Sequence, residues 1–416
     1  MQTRFLMQLC FAVSATLMFS VDAGKSQDNN ITTQRQKFHD ELVTMDLEID
    51  IPPTFMIGAN DVGYETSMQI DLPKMDGGGL DGAIFVVWVP QQGRTPEAYA
   101  KARADAEQKF SAIEKMAATY PERIEIAKRA DDVDRIVKAG RHFAVLGMVN
   151  AYPLGTDLSW LPDLYARGLR NIALTHAGHN QFADSSRPRA PLNDPPEEYN
   201  GLSNLGRELV KEMNRLGIIV DVSQLSVPAV LETARLSKAP IIASHSGFKA
   251  KVNTDRNLTD EEMLAIKDSG GLVGVVAFSN YLRPSHPGQR KAFSKILEKY
   301  GTSNLATVTS RFSSDKVEEF KLDIIKYDRE FPRANVSNLV ESIEYAINLL
   351  GIDHVSISSD MEHGGGVTGW MNAGESFAVT EELLKRGYGE TAIAKLWSQN
   401  FIRVWRTVEF LAQTQD

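Results

Sequence analysis

The chain has 416 residues, 43% of them apolar, and a formal net charge of −9. That is length for one large domain or two ordinary ones, with apolar content for a sizeable core. The negative balance argues against a nucleic-acid surface, which needs clustered Lys and Arg, and no low-complexity tract or repeat of roughly 20–50 residues is present.

In chain order, the N-terminus reads as a secretory leader. Arg4 supplies the positive end, "FLMQLCFAVSATLMFSV" the apolar stretch, and "VDA" (Val21–Ala23) before Gly24 a small-residue cleavage site. The run is short for a membrane span, so removal of residues 1–23 is expected, leaving no span in the mature chain. Cys10 is the only cysteine and lies in this leader. A mature chain without cysteine has no disulfide, thiolate nucleophile or zinc–thiolate site. The expected location is the periplasm. Residues 24–40 read as a polar lead-in, and 41–416 as a single domain.

Short apolar runs then recur: "LVTMDLEIDI" (42–51), "GAIFVVWV" (82–89), "FAVLGMV" (143–149), "NIALTH" (171–176), "GIIVDVS" (217–223), "PIIASHS" (240–246), "GLVGVVAF" (271–278) and "HVSISSD" (354–360). Each is too short for a helix, and several are β-branched, so each predicts a buried strand. Helical patterns lie between them, including residues 96–119, 202–217 and 259–270. The last opens with Thr259 and Glu262 in capping-box spacing. Alternating strands and helices predict a parallel sheet. Eight strands predict a closed (β/α)8 barrel with a helical insertion at about 279–350. An open doubly wound sheet is the competing architecture, but no G-x-G-x-x-G follows the first strand.

In such a barrel, working residues gather at the C-terminal strand ends. The first run carries Asp46, Glu48 and Asp50 at alternate positions. Like charges on one side of a strand repel unless something positive sits among them. A metal ion, a lysine, an arginine or plain solvent exposure each explains the set. The fourth run ends in His176, the fifth in Asp221, Ser223 and Gln224, the sixth in His245 and the eighth in Asp360. Arg256 follows the sixth run. His179 and His363 read as loop residues. There is no G-x-S-x-G elbow, H-E-x-x-H or P-loop.

Taken together, the segments "DLEIDIPP", "LTHAGHNQFADSS", "GIIVDVSQLS", "APIIASHSG", "DRNLTDEEMLAIKDSGGLVGVVAF", "HVSISSDMEHGG" and "KLWSQNFIRVW" resemble the membrane (renal) dipeptidase family of zinc-dependent barrel hydrolases, in order from about residue 40 to 410. The resemblance implies a dinuclear zinc site, a dipeptide substrate and a homodimer. By that resemblance Asp50 and His245 match metal ligands. Glu48 stands where the family carries histidine, Gln224 where it carries a second histidine, and Val149 where it carries the glutamate that bridges the zincs. His176, Arg256 and Asp360 match substrate-contacting positions. Asp360 would relay a proton to the leaving amine and His176 would help hold the oxyanion, while Arg256 would pair a terminal carboxylate.

Valine offers no lone pair, and a glutamine carbonyl is a poor match for zinc. One reading is therefore a diverged, catalytically impaired homologue (a pseudoenzyme) that keeps the dipeptide pocket. The alternative is an active metallodipeptidase with an atypical mononuclear site, oxygen-rich and suited to Mn²⁺, Mg²⁺ or Ca²⁺. A third is a different amidohydrolase-like activity or a structural partner protein.

Overall fold

The computed structural model describes residues 31–301 and 314–414. The predicted leader, with Cys10, lies outside the described residues. Nine parallel strands form: β1 (Met45–Asp50), β2 (Gly82–Trp88), β3 (Ile124–Ile126), β4 (His142–Val149), β5 (Leu169–Ala173), β6 (Ile219–Asp221), β7 (Ile241–Ser246), β8 (Leu272–Val276) and β9 (Val355–Ser358). Eight pair in the order β1-β2-β4-β5-β6-β7-β8-β9. The ring is nearly closed where β9 returns to β1: the Asp360 amide donates to the Glu48 carbonyl, and the Asp50 amide to the Met361 carbonyl, both at 3.1 Å. Most residues of these strands are apolar and buried, the composition expected of strands covered on both sides.

Three expectations change. The three-residue β3, too short to show as an apolar run, pairs beside β4 off the barrel path. Residues 31–41, all but the last within the stretch 24–40 read as polar lead-in, are helical. His39 on this helix is buried: its ring nitrogens meet the Thr380 hydroxyl at 2.7 Å and the Gly78 carbonyl at 2.9 Å. Finally, the helix Val336–Leu350 buries Leu339, Val340, Ile343 and Ala346 and packs on β8 and β9. It is the barrel's own crossover helix, so the inserted part ends near residue 335. The insertion holds the helices Ser279–Leu282, Gln289–Lys299 and Ser314–Glu330.

Local rules account for the helix ends. Thr95 caps the helix Pro96–Thr119, accepting from the Ala98 amide at 3.2 Å, with proline at the first turn. The Thr259–Glu262 capping box is formed as expected. Among the described residues no helix is long and apolar enough to cross a membrane.

Candidate active site

The barrel mouth gathers the strand-end residues into one small pocket. Its walls are Glu48, Asp50, Trp88, Val149, His176, Gln224, His245, Asp360 and His363, around about 10 Å³ of free space, roughly the room of one water. Asp50, Trp88 and His363 also wall a wider neighbouring cleft of about 700 Å³, bounded by Pro52, Pro53, Gln108 and Lys109.

The three carboxylates of β1 have different fates. Asp46 fastens the barrel seam: its Oδ1 accepts from the amides of Ser359 (2.9 Å) and Glu48 (3.1 Å). Its Oδ2 is buried without a partner, and burial pushes the carboxyl up to about 7. Glu48 faces the pocket, where burial first, and then the charges of Asp360, Asp221 and Asp50, hold its carboxyl well above the usual range. Asp50 has cationic company. Its Oδ1 accepts from Lys109 Nζ at 3.1 Å and from the Ile51 amide at 2.8 Å, and its Oδ2 meets His363 Nδ1 at 3.1 Å.

A directed chain of hydrogen bonds crosses the opposite wall. Arg187 donates to Gln224 Oε1. The Gln224 amide nitrogen is then the donor to His245 Nε2, at 3.1 Å. That fixes the tautomer: His245 Nδ1 carries the proton and donates to Ser244 Oγ at 2.8 Å, and Ser244 donates onward to Glu48 Oε2 at 3.3 Å. The chain requires neutral His245. Burial depresses its imidazole well below the usual value, and the charges of Arg256, His176, His363 and Arg187 act the same way. Gln224 sits at φ 72, in the left-handed region uncommon for non-glycine residues.

His176 and His363 pack against Trp88, the first tilted and the second edge-on, with ring centroids 5.2 and 4.4 Å away. Burial, with the charge of His363 next, holds His176 neutral, well below its usual value. Burial also works against a charged His363, but its hydrogen bond to Asp50 and the charges of Asp360 and Asp50 outweigh it, and the net shift is upward. Asp360 is pushed up to about 6 by burial, against the pull of His363 and Arg256.

Arg256 stands behind His245 and is no part of the pocket wall. It donates to the Ser246 hydroxyl (3.1 Å) and the His245 carbonyl, its Nε has no partner, and its guanidinium lies 5.3 Å over Tyr281. His179 is structural: its Nδ1 accepts from the Ser185 amide at 3.0 Å. His363, read from sequence as a loop residue, belongs to the pocket. Lys109, Trp88 and Arg187 were not singled out at all. Lys109 alone left a trace in the sequence, a charge in the apolar stripe Ala102, Ala106, Phe110, Ile113, Met116 of its helix.

A zinc pair does not fit these residues. Val149 offers nothing to bridge two ions. The His245 nitrogen that faces Gln224 already accepts a hydrogen bond, and Asp50 is occupied by an ammonium and an imidazole. A single-ion set exists in a different combination: Glu48, Asp221 and His245 offer ligand atoms all within 4.8 Å of one another, with Asp50 outside the trio. Asp221 already accepts from the amides of Ser223 (2.9 Å) and Ser244 (3.1 Å).

The architecture is a parallel (β/α)8 barrel whose carboxylates and imidazoles converge at the C-terminal strand ends, the face where such barrels carry their working residues. The sequence profile of the membrane dipeptidases, peptidase family M19, matches residues 32–416, and the chain belongs to that family. Dipeptidase tcpJ of Claviceps purpurea is 28% identical over 315 residues, 75% of this chain. The match covers 61% of tcpJ, so the chain spans about three fifths of that relative's length. Dipeptidase verJ of Clonostachys rogersoniana is 24% identical over 350 residues, 82% of this chain and 76% of verJ. Among solved structures, the probable dipeptidase PvdM from Pseudomonas aeruginosa superposes with a TM-score of 0.81 at 36% identity, covering 92% of this chain and 99% of PvdM. A metallo peptidase from Rhodobacter sphaeroides, solved with a phosphinate mimic of L-Ala-D-Ala, shares the fold at a TM-score of 0.68 and 23% identity, covering 88% of this chain and 99% of that one.

Proposed function

We propose that this protein is a dipeptidase-family member that keeps the barrel-mouth pocket for a dipeptide-like ligand and has lost the two-zinc hydrolytic centre. The observation that carries the reading is the state of the ligand positions: Val149 is aliphatic, Gln224 is clamped between Arg187 and His245, and Asp50 is paired with Lys109. In this reading Asp360 meets the ligand's free ammonium. His176, neutral and packed on Trp88, offers a hydrogen bond to a carbonyl oxygen. Arg256 lends its positive charge from behind His245. The pocket itself has the room of about one water, so the body of the ligand would lie in the adjoining cleft of about 700 Å³, which shares Asp50, Trp88 and His363 with it and is in the range of small-molecule sites. The same proposal places the mature chain in the periplasm, on the strength of the leader at residues 1–23.

The trio Glu48, Asp221 and His245 supports a second reading, a mononuclear metallodipeptidase. Elemental analysis of the purified mature chain after dialysis against zinc or manganese, alongside calorimetric binding and hydrolysis of a dipeptide panel, separates the two. Binding without turnover and without stoichiometric metal is the expected result. One tightly held ion with turnover supports the second reading, and two zincs with turnover overturn both.

A further inference from the structure

We infer that Lys109 is the resident cation of this site: its ammonium, held at Asp50, supplies the positive charge that the acidic strand β1 calls for and leaves that carboxylate occupied against a metal ion. The inference rests on geometry independent of which ligand the pocket accepts, and it deepens the reading that the zinc pair is gone.

Lys109 is 6% exposed. Lysine is almost never buried unless paired, and an unpaired buried ammonium is costly. Its helix, Pro96–Thr119, turns an otherwise apolar stripe toward the barrel, and a methionine or leucine at 109 would pack there without that cost. The charge is aimed at one partner. Lys109 Nζ lies 3.1 Å from Asp50 Oδ1, and the side chain of each is 7% exposed. The ammonium also lies 5.9 Å from the Trp88 ring centroid, within reach of a cation–π contact.

The arrangement is closed on the carboxylate's side as well. The Ile51 amide shares Oδ1 with Lys109, and His363 takes Oδ2. Pro52 and Pro53 follow at once. An ion arriving at Asp50 would have to displace a side-chain donor and sit against a fixed positive charge. Lys109, Asp50, Trp88 and His363 all wall the wider cleft. Two N–H bonds of the ammonium remain for a ligand oxygen, and they offer a fixed charge that neither chelators nor metal supply can change.

The test is the metal response of Lys109→Met, which keeps the stem and removes the charge, measured as melting temperature in EDTA and in excess zinc or manganese. The wild type should be indifferent at Asp50. Lys109→Met should melt lower in EDTA and gain about 2–4 °C in excess metal. The double variant Asp50→Asn/Lys109→Met should recover part of the loss and show no such gain. If Lys109→Met fails to fold while the double variant folds, the pairing stands, because removing the stranded carboxylate rescues the chain. If both fail to fold, or if Lys109→Met folds and responds to metal no more than the wild type, Lys109 is a packing residue and the inference falls. Hydrolysis by a wild type carrying one ion on Glu48, Asp221 and His245 would sink the proposed function while leaving this inference standing.

Discussion

Placing a carboxylate at Val149, where the family resemblance expects the zinc-bridging glutamate, is the sharpest test of the proposed function. Val149 is 3% exposed and held on both sides, its backbone in register with Trp88 of β2 and Ala173 of β5, so the strand cannot swing a new charge into solvent. Val149→Glu forfeits the burial of one valine, about 1.5–3 kcal/mol. It also strands a carboxylate among Glu48, Asp50 and Asp360, and an uncompensated buried charge costs about 3–5 kcal/mol. Some of the second cost is avoided by protonation, so a net loss of about 3–5 kcal/mol is expected in metal-free buffer. Adding Glu48→His and Gln224→His supplies imidazole ligands. At a free zinc concentration 100 times the dissociation constant, binding then returns about 2.7 kcal/mol. Urea denaturation followed by circular dichroism, with EDTA and with zinc, reads both numbers. A loss below about 1 kcal/mol for Val149→Glu alone would mean that the pocket tolerates the charge. A triple variant that folds but denatures identically with and without zinc would mean that more than the ligands has been lost. Either result refutes the reasoning.

Other predictions follow from the same geometry. His39 is held below its usual pKa mainly by burial, so the unfolded chain binds its proton more readily, and its contribution to stability is lost as pH falls below about 6.5. The stability gap between wild type and His39→Gln should therefore narrow from pH 7 to pH 5, by at most about 1.4 kcal/mol per unit, and a constant gap would show that the ring accepts a proton freely. In Gly274 of β8 an added Cβ would lie 2.0 Å from the Ser244 carbonyl oxygen. Gly274→Ala should cost about 2–3 kcal/mol by chemical denaturation, and a neutral result would mean that β7 and β8 can part. With Asp360 titrating at about 6, affinity for a ligand bearing a free ammonium should fall as pH drops below that value, and Asp360→Asn should weaken binding and flatten the profile. Calorimetry at pH 5 and pH 7.5 checks it, and an unchanged profile in the variant removes Asp360 from the ammonium site.

The order of apolar runs, the capping box at Thr259 and the strand-end positions of Glu48, Asp50, His176, Gln224, His245 and Asp360 were legible in the sequence. Parallel β/α alternation sends every strand's C-terminal end to one mouth, so residues hundreds apart in sequence can be placed together without coordinates. That valine and glutamine are poor zinc ligands was legible too, because ligand capacity is a property of the side chain alone, while the reading of 149 and 224 as ligand positions came only from the family resemblance. Tertiary structure alone decided what answers the acidic strand of β1. A lysine was one of four open explanations, and Lys109 arrives from a helix 59 residues away, His363 from a loop 313 residues away. Arg187 likewise reaches Gln224 across the mouth. A buried charge is defined by its partner, and partners across a barrel mouth are set by the closure of the sheet and the packing of its helices, neither of which leaves a local pattern in the chain.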